Sequence, residues 1–233
     1  MNALPSKILN IATEIQTTGV TFTQKFASVL AIAFCFIFPH FGGGILIYPL
    51  IVSSVVFLFI KYVAKENLEN LLFSPKRFEY ASVLVGLAGA IVLSAFFKFA
   101  WDPFIEFILP GHKIDLSAFA AIRGNLTNYI LTLLLAFVVG GLYEEIIFHG
   151  FIFTRLEKIF PGRYSTVTAF CLTAIIFGAY HYQQGIKGVL LTTIAGAVYH
   201  LLILKFGRNL WYGTFIHTFF DFIGLTLIYL GYL

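Results

Sequence analysis

Apolar residues fall in runs of near twenty positions, separated by short polar or Pro/Gly-containing stretches. A helix needs about 20 residues to cross a ~30 Å hydrocarbon core, so each run is a candidate span. No residue between Lys25 and Lys61 carries a full charge. That stretch is too long for one span, and Pro39-His40-Phe41-Gly42-Gly43-Gly44 has the composition of a chain reversal. The pattern predicts spans over 24–38 and 44–60, then a charged interfacial helix or loop over 61–79. A third span follows over 80–101, and an extramembrane or re-entrant connection over 102–125, with Pro103 and Pro110-Gly111. The fourth span starts at Leu126 and runs far, to Phe160, where Pro161-Gly162-Arg163 ends it. Three more are predicted over 164–182, 186–204 and 210–230.

The expected fold is therefore all-α, with about seven transmembrane helices and an intramembrane polar cavity. Residues 1–125 supply three helices and their connections, and 126–233 a core of four, in one integrated domain. The segment Met1–Phe22 lacks a short apolar core with a small-residue cleavage site, so no cleaved signal peptide is expected. Cys35 and Cys171 lie in apolar runs without metal-ligand or CxxC spacing, and no disulfide framework is implied.

Composition agrees with the spans. Of 233 residues 59% are hydrophobic and 11% charged, with a mean hydropathy of +0.90, whereas soluble domains carry about 25% charged residues. Disorder is excluded by the same numbers, and a membrane β-barrel by the absence of ~10-residue alternating segments. The net charge of +4 reads as loop charge, and nucleic acid is not an expected partner. With seven spans, eleven of the fifteen Lys and Arg residues fall on the side of the N-terminus, among them Lys7, Lys25, Arg155, Lys158 and Arg208. Cytoplasmic loops carry such an excess, which predicts a cytoplasmic N-terminus and a C-terminus on the opposite side.

Within the spans, Glu144, Glu145, His181, His217 and Asp221 are out of place. A carboxylate near a bilayer centre costs at least ~2.5–3.5 kcal/mol on insertion scales, so it faces a polar cavity and marks a functional pathway. Glu144 lies about sixteen residues before the Pro161 turn and His181 sixteen after the chain restarts at Ser165, each ~24 Å at 1.5 Å per residue. They are level on adjacent antiparallel helices. His217 and Asp221, four apart, share a helical face and lie ~10 and ~16 Å from the start of the last span. Three helices can thus converge on one pocket. A desolvated glutamate is a competent general base toward water, and imidazoles can orient that water or assist the leaving group. Two histidines and a carboxylate are also the ligands of hydrolytic zinc sites, so Glu144, His181 and His217 would hold zinc if it is present. HExxH is absent.

At these residues the sequence resembles the CAAX protease and bacteriocin-processing (CPBP) intramembrane proteases, which include the type II CAAX prenyl endopeptidases. The family pattern is a double glutamate followed by Arg and Gly, then Phe-x-x-x-His, then His-x-x-x-Asn/Asp. Here it reads Glu144-Glu145-Ile146-Ile147-Phe148-His149-Gly150, Phe177-Gly178-Ala179-Tyr180-His181 and His217-Thr218-Phe219-Phe220-Asp221. The segment Phe206-Gly207-Arg208-Asn209-Leu210-Trp211 resembles the family's lead-in to the last motif. The likeness spans roughly 126–225 and leaves the first hundred residues uncovered. It implies an endopeptidase in which Glu144 activates water with His181, while His217 and Asp221 stabilise the oxyanion. The metal-free version is the expectation. Partners would be a peptide or lipid-anchored protein substrate and membrane lipids. His149 stands where the family has Arg. Arg would hold Glu145 by a bidentate pair, whereas His makes one bond and loses its charge above its pKa. Activity is therefore expected to fall as pH rises past that point.

Other residues have plainer readings. His200 is expected at the membrane interface, and His40 and His112 in solvated connections. Gly140-Gly141 and Gly196 read as small-residue helix contacts, and 61–77 as a solvated segment rather than a headgroup-binding one. Two other functions use the same carboxylates: a proton or ion-coupled transporter, and a non-catalytic peptide-binding or immunity protein. Transport is disfavoured because the ionisable residues of the second half have no counterparts in the first, as internal repeats would require.

Overall fold

A computed structural model describes residues 20–41 and 44–233. The signal-peptide reading, Lys7 and the Gly42-Gly43 part of the first turn lie outside the described residues. Seven apolar helical stretches and a few short ones follow one another, with no strand among the described residues. The seven are α1 Phe22–His40, α2 Gly44–Ala64, α3 Tyr80–Ile108, α4 Leu126–Ile159, α5 Ser165–Tyr180, α6 Tyr182–Lys205 and α7 Leu210–Leu230. All but α5 are long and apolar enough to cross a membrane. At 16 residues, α5 falls short of the ~20 a full crossing needs. The structure thus gives an all-α multi-pass membrane protein with six candidate spans and one shorter apolar helix, where the hydropathy pattern alone predicts seven.

Local chemistry sets the helix ends. Thr21 caps α1 in a capping box with Gln24, and Asn125 and Asn209 accept from backbone N–H groups at the starts of α4 and α7. Gly231, at φ 82°, closes α7 in a left-handed turn that a residue without Cβ adopts freely. Leu46, Leu50, Leu84 and Val92 stand exposed on the outside, as lipid-facing positions do. The interior is filled by Phe148, Phe151, Phe153, Phe177 and Tyr199.

Helices touch closely where side chains vanish. A Cβ at Gly86 of α3 would lie 2.5 Å from Cβ of Phe215 and 2.8 Å from the backbone nitrogen of Ile216, so α3 lies directly on α7. Gly141 likewise admits Thr218 of α7 against α4. Small residues at such crossings let backbones approach where lipid offers no hydrophobic gain.

The connections sort onto two faces. On one, Lys25 donates to the Ile159 carbonyl at 3.2 Å, Arg77 to the carbonyls of Gly207 and Arg208 at 2.7 and 2.9 Å, and Trp211 Nε1 to Ser74 at 3.0 Å. On the other, the Asp115 backbone N–H donates to Gln184 and that of Gly124 to Tyr229, both at 3.0 Å. Most of the 61–77 segment is exposed, as a solvated stretch is, yet it also clasps the bundle. Leu71 and Leu72 are buried, and Glu66 accepts two hydrogen bonds from the buried Arg155 and pairs with Lys158 at 2.5 Å.

Candidate active site

The site is built on α4. From Ala136 to Ile152 its backbone hydrogen bonds run i→i+5 rather than i→i+4. Such widened turns are rare and recur at functional sites. Glu144, Glu145 and His149 all lie in this stretch, at 8%, 0% and 0% exposure.

Glu144 faces two imidazoles. Its Oε2 is 3.8 Å from Nε2 of His181, at the end of α5, and 4.0 Å from Nε2 of His217 on α7. The tautomers follow from the far side of each ring. His181 Nδ1 lies 2.9 Å from the Phe177 carbonyl, which only accepts, so that nitrogen is the donor. His217 Nδ1 lies 2.9 Å from Oε1 of Glu145, and a carboxylate also only accepts. Both rings therefore turn Nε2 toward Glu144. His217 Nε2 also lies 3.6 Å from Oδ2 of Asp221. Tyr199 stacks on the His217 ring at 4.7 Å, and Phe177 stands edge-on to it. All five ionisable residues singled out in the apolar runs share one neighbourhood on three helices.

Glycines make room for this arrangement. A Cβ at Gly140 would sit 2.7 Å from the Asp221 carboxylate, and one at Gly213 would strike Oε2 of Glu145. Gly140 is thus a neighbour of the site as well as a helix contact. A cavity of about 370 Å³ lined by Asp115, Ser117, Ala118, Phe119, Gln183 and Gln184 begins two residues beyond His181.

Three residues escaped sequence reasoning. His200 is 1% exposed, with Nδ1 2.9 Å from Nδ1 of His149, which corrects its interfacial reading. Burial follows because α6 runs against α5 through Gly196, whose missing Cβ admits the Phe177 ring. His200, four residues on, shares that inward face, and this spacing was the available signal. Tyr48 of α2 packs edge-on to Tyr143 at 5.7 Å and lies within electrostatic reach of Glu144, so the first hundred residues also wall the site. His40 is partly buried rather than fully solvated, its ring packing on Tyr180 and Tyr182 at 5.0 and 4.8 Å. His112 is exposed, as expected.

The donor chemistry of Glu144, His181 and His217 suits zinc, and each His has the far-side partner that zinc-ligating histidines have. Among the described residues no group of three or more His, Cys, Asp or Glu is arranged as a metal cluster.

Fold and side chains together define a multi-pass α-helical membrane protein with a buried glutamate–histidine centre. Residues 126–223 match the family model described as "Type II CAAX prenyl endopeptidase Rce1-like". This segment is similar to that protease family, in agreement with the motif resemblance. No curated protein and no solved structure matches the chain.

Proposed function

We propose that this protein is an intramembrane endopeptidase that hydrolyses a peptide bond of a peptide or membrane-anchored protein through water activated by Glu144. The observation that carries the reading is the meeting of Glu144 Oε2 with the Nε2 atoms of His181 and His217 at 3.8 and 4.0 Å. These gaps are too wide for direct hydrogen bonds but suit a water about 2.8 Å from each group. Glu144 takes one proton as the water oxygen attacks the scissile carbonyl carbon, and His181 orients the second hydrogen. The oxyanion needs a donor, which His217 supplies from Nε2 when its ring is protonated, with the Asp221 carboxylate 3.6 Å away favouring that charge. Collapse of the tetrahedral intermediate breaks the C–N bond, and Glu144 returns its proton to the leaving amine. General acid–base steps of this kind contribute roughly 10²–10⁴-fold each.

The steps use the protein's own side chains, and none is routed through a metal. The face holding Lys25, Lys61, Arg77, Arg155 and Arg208 is assigned to the cytoplasm by the positive-inside rule. Lipid-anchored peptides are the substrate class favoured by a centre buried among spanning helices.

The test is cleavage of candidate lipid-anchored and free peptides by purified protein in lipid vesicles, with Glu144→Ala as control. Cleavage by the wild type, unaffected by a chelator and absent in Glu144→Ala, supports the reading. Loss of cleavage with chelator, restored by zinc, overturns the metal-free chemistry. A biological effect that survives Glu144→Ala overturns the protease reading in favour of a peptide-binding protein.

A further inference from the structure

Two buried imidazoles behind Glu145 have no part in activating water. His149 on α4 and His200 on α6 meet Nδ1 to Nδ1 at 2.9 Å, 0% and 1% exposed, beneath the Phe153 ring at 4.1 Å from the His200 ring. Two ring nitrogens at that distance form a hydrogen bond only if one carries the hydrogen and the other does not. The neighbouring carboxylate decides which. His149 Nε2 faces Oε1 of Glu145 at 3.8 Å, beyond hydrogen-bond length but well within electrostatic range. A lone pair there would repel the carboxylate oxygen, and an N–H attracts it. His149 therefore carries its hydrogen on Nε2, its Nδ1 is bare, and the hydrogen between the rings belongs to Nδ1 of His200.

We infer that His200 is a positioning residue: by donating to His149 it fixes the tautomer that aims an N–H at Glu145, the carboxylate that holds His217. The order is His200 to His149 to Glu145, with His217 donating to the same Oε1 from the other side at 2.9 Å. Three helices, α6, α4 and α7, are joined by this chain. Without the His200 donor, His149 is free to move its hydrogen to Nδ1 and turn a lone pair toward Glu145. The carboxylate then loses its second attraction and the register of His217 loosens. The kinetic consequence rests on the proposed protease reading; the tautomer assignment does not.

The experiment has two arms. In the first, kcat and KM are measured for His200→Phe, which removes the donor, and for His200→Asn, which keeps an amide N–H near the Nδ1 position. The same His200→Phe change is also made in a His149→Phe background. The expected result is a fall in kcat of about tenfold or more for His200→Phe, as for coupled neighbours, with KM within about twofold. His200→Asn stays within about threefold of wild type, and His200→Phe adds less than about twofold once His149 is gone. An unchanged kcat in His200→Phe, or an equal loss in both backgrounds, overturns the inference. The second arm is nitrogen-15 NMR of histidine-labelled wild-type protein in micelles. It is expected to find the hydrogen on Nε2 of His149 and on Nδ1 of His200; the reverse assignment overturns the inference. That arm needs neither a variant that folds nor a substrate that is cleaved. A protein that cleaves nothing yet shows these tautomers defeats the protease reading alone.

Discussion

His217 donates from Nδ1 to Oε1 of Glu145 at 2.9 Å across 72 residues of chain, in a site where both side chains are buried. That bond leaves Nε2 of His217 free to face Glu144. Glu145→Gln offers His217 an amide that can donate as well as accept, so the imidazole hydrogen is no longer tied to Nδ1. Loss of the correct tautomer by the same carboxylate-to-amide change in a Ser-His-Asp triad costs about 10⁴ in kcat. For Glu145→Gln we expect kcat to fall on the order of 10²–10⁴-fold with the helical spectrum intact. Peptide-cleavage kinetics beside circular dichroism check this, and a variant with wild-type kcat would remove Glu145 from the machinery.

Gly213 tests the same carboxylate from the far side. A Cβ there would strike Oε2 of Glu145 and the buried Ile203 side chain. Gly213→Ala must therefore displace Glu145 or part α6 from α7. The expected outcome is a loss of kcat of about tenfold or more, since small misplacements in a reacting constellation are costly. Gly224, whose Cβ would meet nothing within 4 Å, is the control position, and Gly224→Ala should leave kcat unchanged without lowering the melting temperature.

Much of this site was legible because charge in an apolar run is conspicuous. Glu144, Glu145, His181, His217 and Asp221 stand out on insertion cost alone, and counting residues from one hairpin turn placed Glu144 and His181 at one level. The structure holds them 3.8 Å apart. The span pattern was equally readable, because helices apolar all round announce themselves by length. That same all-round character hides which face points inward, and so His200 passed for an interfacial residue. The i→i+5 winding of α4 leaves no periodic trace in such a run. Glu66 and Arg155, 89 residues apart, were invisible as a pair because loop-to-helix contacts have no spacing rule. The shortness of α5 depends on where a backbone stops at His181, and hydropathy continues past that point.

The Glu66 cluster gives a pH prediction outside the membrane. Partial burial pushes the Glu66 carboxyl up, but hydrogen bonds and charges from Arg155 and Lys158 outweigh this and hold it at about 2, below the usual 4.5. A depressed carboxylate stabilises the fold fully above the unfolded value and loses that contribution as pH falls through the folded one. Glu66→Gln should therefore melt below wild type at neutral pH, with the gap closing between pH 4.5 and 2. Thermal melting in detergent across that range is the measurement. A gap that is constant with pH would mean the carboxylate charge contributes nothing to the clasp.

Sidedness can be tested on connections whose faces the structure already pairs. Lys25 reaches the Ile159 carbonyl, and Arg77 reaches Gly207 and Arg208. The starts of α1 and α7 and the end of α4 therefore share one face. Arg123 reaches the Leu233 carbonyl, so the 109–125 connection and the C-terminus share the other. This pairing holds whether or not the α5–α6 turn reaches the far surface, since α5 leaves from the face to which α6 returns. Basic residues concentrate on the first face, so it is expected in the cytoplasm. Single cysteines in a variant lacking Cys35 and Cys171, placed at Arg163 and at Gly231, can be tested with an impermeant thiol reagent added to intact cells, which reaches only the outer face. Labelling of the Gly231 position alone from outside is the expected result. Labelling of the Arg163 position alone would invert the assignment and move the Glu66 clasp outside the cell.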